Sequence, residues 1–583
     1  MSKTGISSTS GLTFKLFMIR HLLIFLCIVT LSAQSSFSFS SSDDDKLRAN
    51  VRDKGEAEVV ISRPGPAEME LLSRNTSIAS VKGTRVYIIL SPHTLDWFLS
   101  KGYAYTIVER DEAKGITMAS DFNKALEWNT YPTYSQYDSI MRSFAISYPG
   151  LCTLDTIGSS VLGRLLLTLK ITGIANGSQP KPAVFYSSTI HGNETGGFIL
   201  MLRLCSYLLQ NYGTSTDVTD LLDNLEIWIN PLANPDGTYR DGNDIINPTR
   251  TNANGYDLNR NFPDPEVSGN VLQKETREMT IFLAKHRFCL SANFHSGSEV
   301  ANYPWDRWAR DHADVDWFYR ICRSYADTAH LYSRKGYMTF LDNGVTDGYS
   351  WYQVFGGRQD YVTWALHGRE ITVELDTNYI TPTADLQSLW EANRRSLIGY
   401  LENALYGIHG RVRDSFSGNP VPAKITIAAH DKDNSEVYSD TASGNFVRLI
   451  SPGSWNLTFS AEGYRDTVIQ NVAVTDRGIT SLDVRMEPVN RLPDAGSADI
   501  FLYPNPADKQ INALLSEKLK SEVTVRVFNT GGMVVMTFDT NLSSNIPLII
   551  DTGNLASGSY IVQVRNKSTG FTANARFTKI SNR

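Results

Sequence analysis

Apolar and polar positions along this chain change their period several times, and each change marks an element. RVYIIL (Arg85–Leu90) and YAYTIV (Tyr103–Val108) read as strands on either side of a short helical stretch, HTLDWFLSKG. Residues 34–119 are therefore expected to form a small α+β unit that opens with a polar stretch, SSFSFSSSDDDK, read as disordered. From about Ser120 helices and strands alternate. YSQYDSIMRSFAISY, FILMLRLCSYLLQNY, ETREMTIFLAKH and DWFYRICRSYADTA carry helical spacing, whereas LLLTLKIT, AVFYSST, LEIWIN, LSANF and EITVEL are short apolar runs of strand length. DLQSLWEANRRSLIGYLENAL puts Leu386, Leu389, Trp390, Leu397 and Leu401 on one helical face.

Short apolar strands between helices predict, over residues 120–406, an α/β domain whose mixed sheet is covered by helices on both faces. From Gly407 to Pro488 the pattern changes to β alternation with Gly, Pro and Asn turns, and a linker follows at 489–499. A second all-β unit runs from Ile500 to Arg583. The fold class is thus multidomain: a small α+β unit, an α/β domain, and two all-β sandwich domains.

Composition narrows the class of protein. With 583 residues, the chain is too long for one core. At 42% hydrophobic and 20% charged it is neither disordered nor membrane-rich, and a net charge of -6 argues against a general nucleic-acid binder. HLLIFLCIVTLSA, preceded by Lys15 and Arg20, has signal-peptide length, so residues 1–33 are expected to direct export, with Met18 an alternative start. No later run is long and apolar enough to span a bilayer, so the mature form is expected to be exported without a transmembrane segment. Cys152, Cys205, Cys289 and Cys322 are widely spaced with no CxxC. That excludes a zinc ribbon and leaves open either one or two disulfides or buried free thiols.

The chemistry concentrates at strand ends. In TIHGNETGG (Thr189–Gly197), His191 stands three residues before Glu194 at the carboxyl end of AVFYSST, and His295 occupies the same kind of place after LSANF. Ligand sites of open α/β sheets lie at those ends. Two imidazoles and a carboxylate are a donor set that zinc takes, leaving a fourth position for water. HExxH and GxSxG are absent, which excludes a zincin and the usual serine-hydrolase elbow.

Further strings follow in order: NPLANPDG, TRTNANGYDLNRNFPD, FHSGSEVANYPWD, GVTDGYSWYQVFGGRQDY and EITVELD. With these, residues 120–488 resemble the zinc metallocarboxypeptidases, in particular the N/E/D branch that joins the enzyme domain to a transthyretin-like domain. The resemblance implies one zinc per chain held by His191, Glu194 and His295, with Glu374 as general base and acid. It makes Arg250 the group that polarises the scissile carbonyl. Asn259 and Arg260 would grip the terminal carboxylate of a peptide or protein substrate, and Tyr352 would close over it. An arginine fork suits that carboxylate, and a charge facing a developing oxyanion acts where preorganisation helps most. In the basic-residue branch, positions matching Asp306 and Gln359 line the pocket for the departing side chain, which implies release of C-terminal Lys and Arg. The alternatives are a family member with another specificity and a catalytically silent, surface-displayed binding protein.

Two flanking regions carry further resemblances. Residues 407–488 resemble the transthyretin-like domain, with a structural role, and 34–119 sit where pro-segments of the family sit, which leaves open either a pro-domain that blocks the cleft or assists folding, or a permanent module. IFLYPNPADKQI, VRVFNTGGMVV, LASGSYIVQV and FTKI resemble the C-terminal sorting domain of the bacterial type IX secretion system. That implies export machinery as a partner, passage through the periplasm, and a secreted or surface-attached product.

Overall fold

The computed structural model describes residues 41–109, 115–173, 180–266, 269, 271–489, 499–542 and 546–580. The expected signal segment and nearly all of the 489–499 linker lie outside the described residues. Two compact units are present. The first takes in the chain up to Arg413 together with Asn419–Ser460 and Thr467–Val484; the second takes in Asp414–Gly418, Ala461–Asp466 and the residues from Arg485.

In the first unit, an antiparallel sheet is built from β1 (Ala57–Ser62), β2 (Ser77–Lys82), β3 (Arg85–Leu90) and β4 (Tyr105–Val108), in the order β2-β3-β1-β4. This leaves β2 on an edge. Part of the stretch read as disordered is ordered: Ser41–Lys54 is a helix. Asp43 and Asp44 sit in its first turn, and Arg52 and Lys54 in its last, each complementing the helix dipole. Leu47 and Val51, four residues apart, bury against the sheet.

The α/β domain is an eight-stranded sheet. Its strands are β5 (Cys152–Ser159), β6 (Leu165–Ile171), β7 (Ala183–Ser188), β8 (Glu226–Asn230), β9 (Leu290–His295), β10 (Ser298–Tyr303), β11 (Val345–Asp347) and β12 (Arg369–Asp376). The order is β11-β10-β12-β9-β7-β8-β6-β5, with β12, β9, β7 and β8 parallel at the centre, β10, β6 and β5 joined by antiparallel pairings, and β11 parallel to β10. Alternation explains why β7 and β8 read as apolar runs, AVFY and IWI. Val184 and Tyr186 point into one core with Ile227 and Ile229, while Phe185 and Trp228 point into a second core on the opposite face. Helices Gly196–Asn211 and Leu386–Glu402 cover the first face and Lys274–His286 the second. Leu386, Leu389, Trp390, Leu397 and Leu401 are all buried, on the face that their spacing predicts.

Residues 407–486 form a three-stranded and a four-stranded sheet. They join the α/β domain through a buried charge cluster. Asp314 accepts from Arg369 Nη2 (2.7 Å), Arg448 Nη1 (2.8 Å) and Arg448 Nη2 (3.1 Å), and lies 2.8 Å from His430 Nε2. In the second unit, strands from Ile500 to Lys579 make two further sheets that close over their own core, including Ile511, Val525, Val562 and Phe577. Cys152, Cys205, Cys289 and Cys322 are free thiols. Among the described residues no helix is long and apolar enough to cross a membrane.

Candidate active site

The carboxyl ends of β7, β9 and β12 meet at one cleft. His295 closes β9, and Glu374 on β12 stands directly beside it in the parallel register. His191 follows β7 through Thr189, whose φ of 60° turns the chain sharply. Gly192 is required at the next position, because a Cβ there would meet the Gly237 backbone at 2.4 Å. Glu194 then lies just before helix Gly196–Asn211. His191 Nδ1 and His295 Nδ1 are 3.1 Å apart, and each is 2.8 Å from a different oxygen of Glu194. Zinc bonds of about 2.0–2.2 Å space tetrahedral ligand atoms by about 3.3–3.6 Å, so this trio fits the ion after an outward adjustment of about half an ångström. Burial pushes the His295 imidazole down to about 4, which keeps it in the neutral form that a metal requires. Burial also opposes ionisation of Glu194, but the two imidazoles outweigh it and hold that carboxyl below its usual range. Behind His191, Asp257 Oδ1 lies 3.0 Å from Nε2 and orients the ring.

The other residues singled out in the sequence face the same cleft. Arg250, Asn259, Arg260, Asp306, Tyr352 and Glu374 line it together with both histidines. Arg250 Nη1 donates to Glu194 Oε1 at 2.9 Å and its Nε to Asp257 Oδ2 at 3.0 Å. Glu374 is buried with Oε2 unpartnered; burial first, and the nearby Glu194 charge second, push its carboxyl well above the usual range. At the far end Gln359 Nε2 and Asn302 Nδ2 donate to Asp306 Oδ1, at 3.0 and 2.9 Å. A Cβ at Gly348 would come within 1.7 Å of that oxygen, so glycine is what leaves Asp306 its place.

The N-terminal sheet lies across this cleft. Ser77 Oγ accepts from Arg250 Nε (2.7 Å) and donates to Asp257. The Ile78 carbonyl accepts from Arg260 Nη2 at 2.9 Å, and Tyr352 packs against the apolar core of the N-terminal unit. Glu56 accepts the backbone N–H of Arg250 (2.8 Å) and of Thr251 (3.2 Å). The cavity left beside Ala79 is about 20 Å³, room for one water.

A zinc carboxypeptidase profile matches residues 137–396, a carboxypeptidase regulatory-like domain 407–487, and a secretion system C-terminal sorting domain 501–575. The carboxypeptidase N catalytic chain of Rattus norvegicus is 30% identical, over 65% of this chain and 93% of its own length. Carboxypeptidase M of Mus musculus is 34% identical, over 56% of this chain and 77% of its own. The chain belongs to the zinc carboxypeptidase family. Carboxypeptidase D of Homo sapiens is 32% identical over 68% of this chain, which spans only 29% of that relative's length.

Several residues of the site escaped the sequence reading. Asp257 stands in the DLNRNF string two positions before Asn259, a usable signal. Glu56, Ser77 and Ile78 carried none, because their partners lie more than 170 positions away.

Proposed function

We propose that this chain is a secreted zinc carboxypeptidase that releases Lys and Arg from the C-termini of peptides and proteins, and that residues 34–119 hold it latent. The observation that carries the reading is the buried carboxylate of Asp306 at the end of a cleft that also presents His191, Glu194, His295 and Glu374. His191, Glu194 and His295 would hold the ion. Bound there, zinc supplies Lewis-acid polarisation of a carbonyl and makes water more acidic. Arg260 and Asn259 take the terminal carboxylate, the arginine through its planar fork. That fixes the distance from the chain end to the scissile amide. Arg250 offers positive charge to the carbonyl oxygen as it becomes an oxyanion. Glu374 receives the proton of the attacking water and returns it to the leaving amine. Tyr352 closes over the bound end and excludes solvent. Asp306, steadied by Asn302 and Gln359, pairs with a departing ammonium or guanidinium.

In the latent chain, Arg260 Nη2 is engaged by the Ile78 carbonyl and Arg250 Nε by Ser77, so groups meant for substrate are already occupied. The same cover favours a second reading, a surface-displayed binding protein whose cleft never opens. The test is release of the last residue from matched peptides ending in Lys, Arg, Leu or Phe, before and after limited proteolysis, with metal analysis in parallel. One zinc per chain, Lys and Arg release that grows on proteolysis, and a Glu374→Gln variant that keeps zinc but loses turnover support the proposal. A metal-loaded, processed protein that releases nothing supports the binding protein, and release of Phe in preference to Lys removes the Asp306 assignment.

A further inference from the structure

Residues Arg358–Asp360 form a single helical turn, and each of the three holds a different part of the cleft. The Arg358 backbone N–H donates to Asn259 Oδ1 at 2.9 Å. Gln359 Nε2 donates to Asp306 Oδ1 at 3.0 Å. The two oxygens of Asp360 accept the backbone N–H of Asp306 at 3.1 Å and of Arg307 at 2.9 Å. Three consecutive residues thus set the carboxylate grip and both walls of the side-chain pocket.

The turn is anchored by the Arg358 side chain. This guanidinium is wholly inaccessible to solvent, as is its partner Glu370. Nη2 donates to Glu370 Oε2 at 3.0 Å and Nη1 to Asn293 Oδ1 at 3.4 Å, with Cζ 5.2 Å from the centre of the Phe185 ring. Glu370 also accepts from Ser291 Oγ at 2.7 Å. Both strands that receive the guanidinium end in the site: Ser291 and Asn293 lie on β9 below His295, and Glu370 on β12 below Glu374. A buried ion pair is a poor source of stability, since well-packed apolar residues of similar volume often serve as well or better. What such a pair does supply is direction, because a planar fork on a fixed carboxylate permits few placements of its backbone.

We infer that Arg358 is a positioning residue for recognition of the substrate's last residue. Anchored on Glu370, it fixes the turn that brings Gln359 and Asp306 around the departing side chain and Asn259 onto the terminal carboxylate. This rests on the carboxypeptidase reading above.

The test uses the full chain, before and after limited proteolysis, with matched peptides ending in Lys or Leu. Arg358→Met is expected to raise KM for the Lys peptide about tenfold or more and to shrink the preference for Lys over Leu, with kcat changed by less than about threefold. Arg358→Lys, which keeps a cation for Glu370, recovers part of the loss. Arg358→Met leaves a buried carboxylate unpaired and lowers stability, so the double variant Arg358→Met/Glu370→Met is the deciding protein. Its unfolding midpoint returns toward that of the unmodified chain while KM stays raised. A double variant that regains stability and KM together makes the pair merely structural and overturns the inference, as does an unchanged KM in Arg358→Met. Loss of zinc from a folded variant also overturns it, by placing Arg358 in support of the metal. Calorimetric binding of free arginine separates the two readings. An unmodified chain that cleaves nothing yet binds arginine, and loses that binding in the double variant, keeps the positioning role while the catalytic reading fails. A chain that neither cleaves nor binds removes both.

Discussion

Burial pushes the Asp306 carboxyl up to about 6; Asp347 and Glu370 add to the rise, the Asn302 bond and Arg260 oppose it, and the buried Asp360 faces it through the backbone. Below about pH 6 the group is therefore largely neutral and offers a basic end only a hydrogen bond. Above it, the carboxylate can pair with an ammonium out of water, and losing one partner of such a pair costs about 2–5 kcal/mol. The ratio of kcat/KM for Lys over Leu ends is thus expected to climb between about pH 5 and about pH 7 and then level off. Asp306→Asn should flatten that climb. A ratio independent of pH in the unmodified enzyme would show that Asp306 does not meet the departing side chain. At this scale the sequence pointed to His191, Glu194 and His295 through their donor chemistry at strand ends, and to Glu374 only through the family resemblance. It did not announce Arg358 or Glu56, because a buried charge reads like any surface charge until its partner is known. Glu370 supports Arg358 from β12, and the Arg250 backbone answers Glu56 from 194 positions away.

Strands β7, β9 and β12 were legible as elements from short runs rich in apolar residues, AVFY, LSANF and EITVEL, although β9 and β12 also bury Ser291, Asn293, Glu370 and Thr372. Five others, β1, β2, β5, β10 and β11, were not. β10, SEVANY, is fully buried yet half polar, and β2, SIASVK, is small and polar for a strand. The reason for β2 is that its surroundings come from the cleft as much as from its own sheet: Ser77 and Ile78 answer Arg250 and Arg260. Glu56 fastens the same unit, and its burial pushes the carboxyl above its usual range while the Arg250 and Thr251 N–H groups pull it back. Removing the carboxyl would leave the buried N–H groups of Arg250 and Thr251 without an acceptor, at about 1–3 kcal/mol. Glu56→Ala is therefore expected to weaken docking by on the order of 2 kcal/mol, roughly thirtyfold in the open population. Peptidase activity of the uncleaved chain should rise accordingly, while activity after limited proteolysis stays the same. If both forms are unaffected in rate and the variant only unfolds sooner, the N-terminal unit is a permanent module rather than a cover.

At the scale of the whole molecule, changes of period and of turn composition mark where the character of the chain changes, but not what joins the pieces. The charge cluster is one such joint. Asp314 precedes helix Val315–Leu331, Arg369 opens β12, and Arg448 with Asp431 comes from the β domain that follows. Arg448→Met strips Asp314 and Asp431 of a shared buried cation, a loss of about 3–5 kcal/mol. The unfolding midpoint should fall even though the change lies far from the cleft; a midpoint left unchanged would mean that the β domain docks without this pair. The C-terminal sandwich behaves differently, because its apolar side chains close over one another within Ile500–Lys579. Its match is to a secretion system sorting domain, so its work is expected to end once export is complete. Deleting residues 500–583 should leave the peptidase and zinc content of the remaining chain intact but trap it inside the cell envelope. In the native secreted protein, mass spectrometry should find the signal missing to about Ala33 and the sequence from about Ile500 removed. An exported protein that retains its C-terminal sequence, and is exported equally well without it, would make this sandwich an adhesion module and leave the route of secretion to another part of the chain.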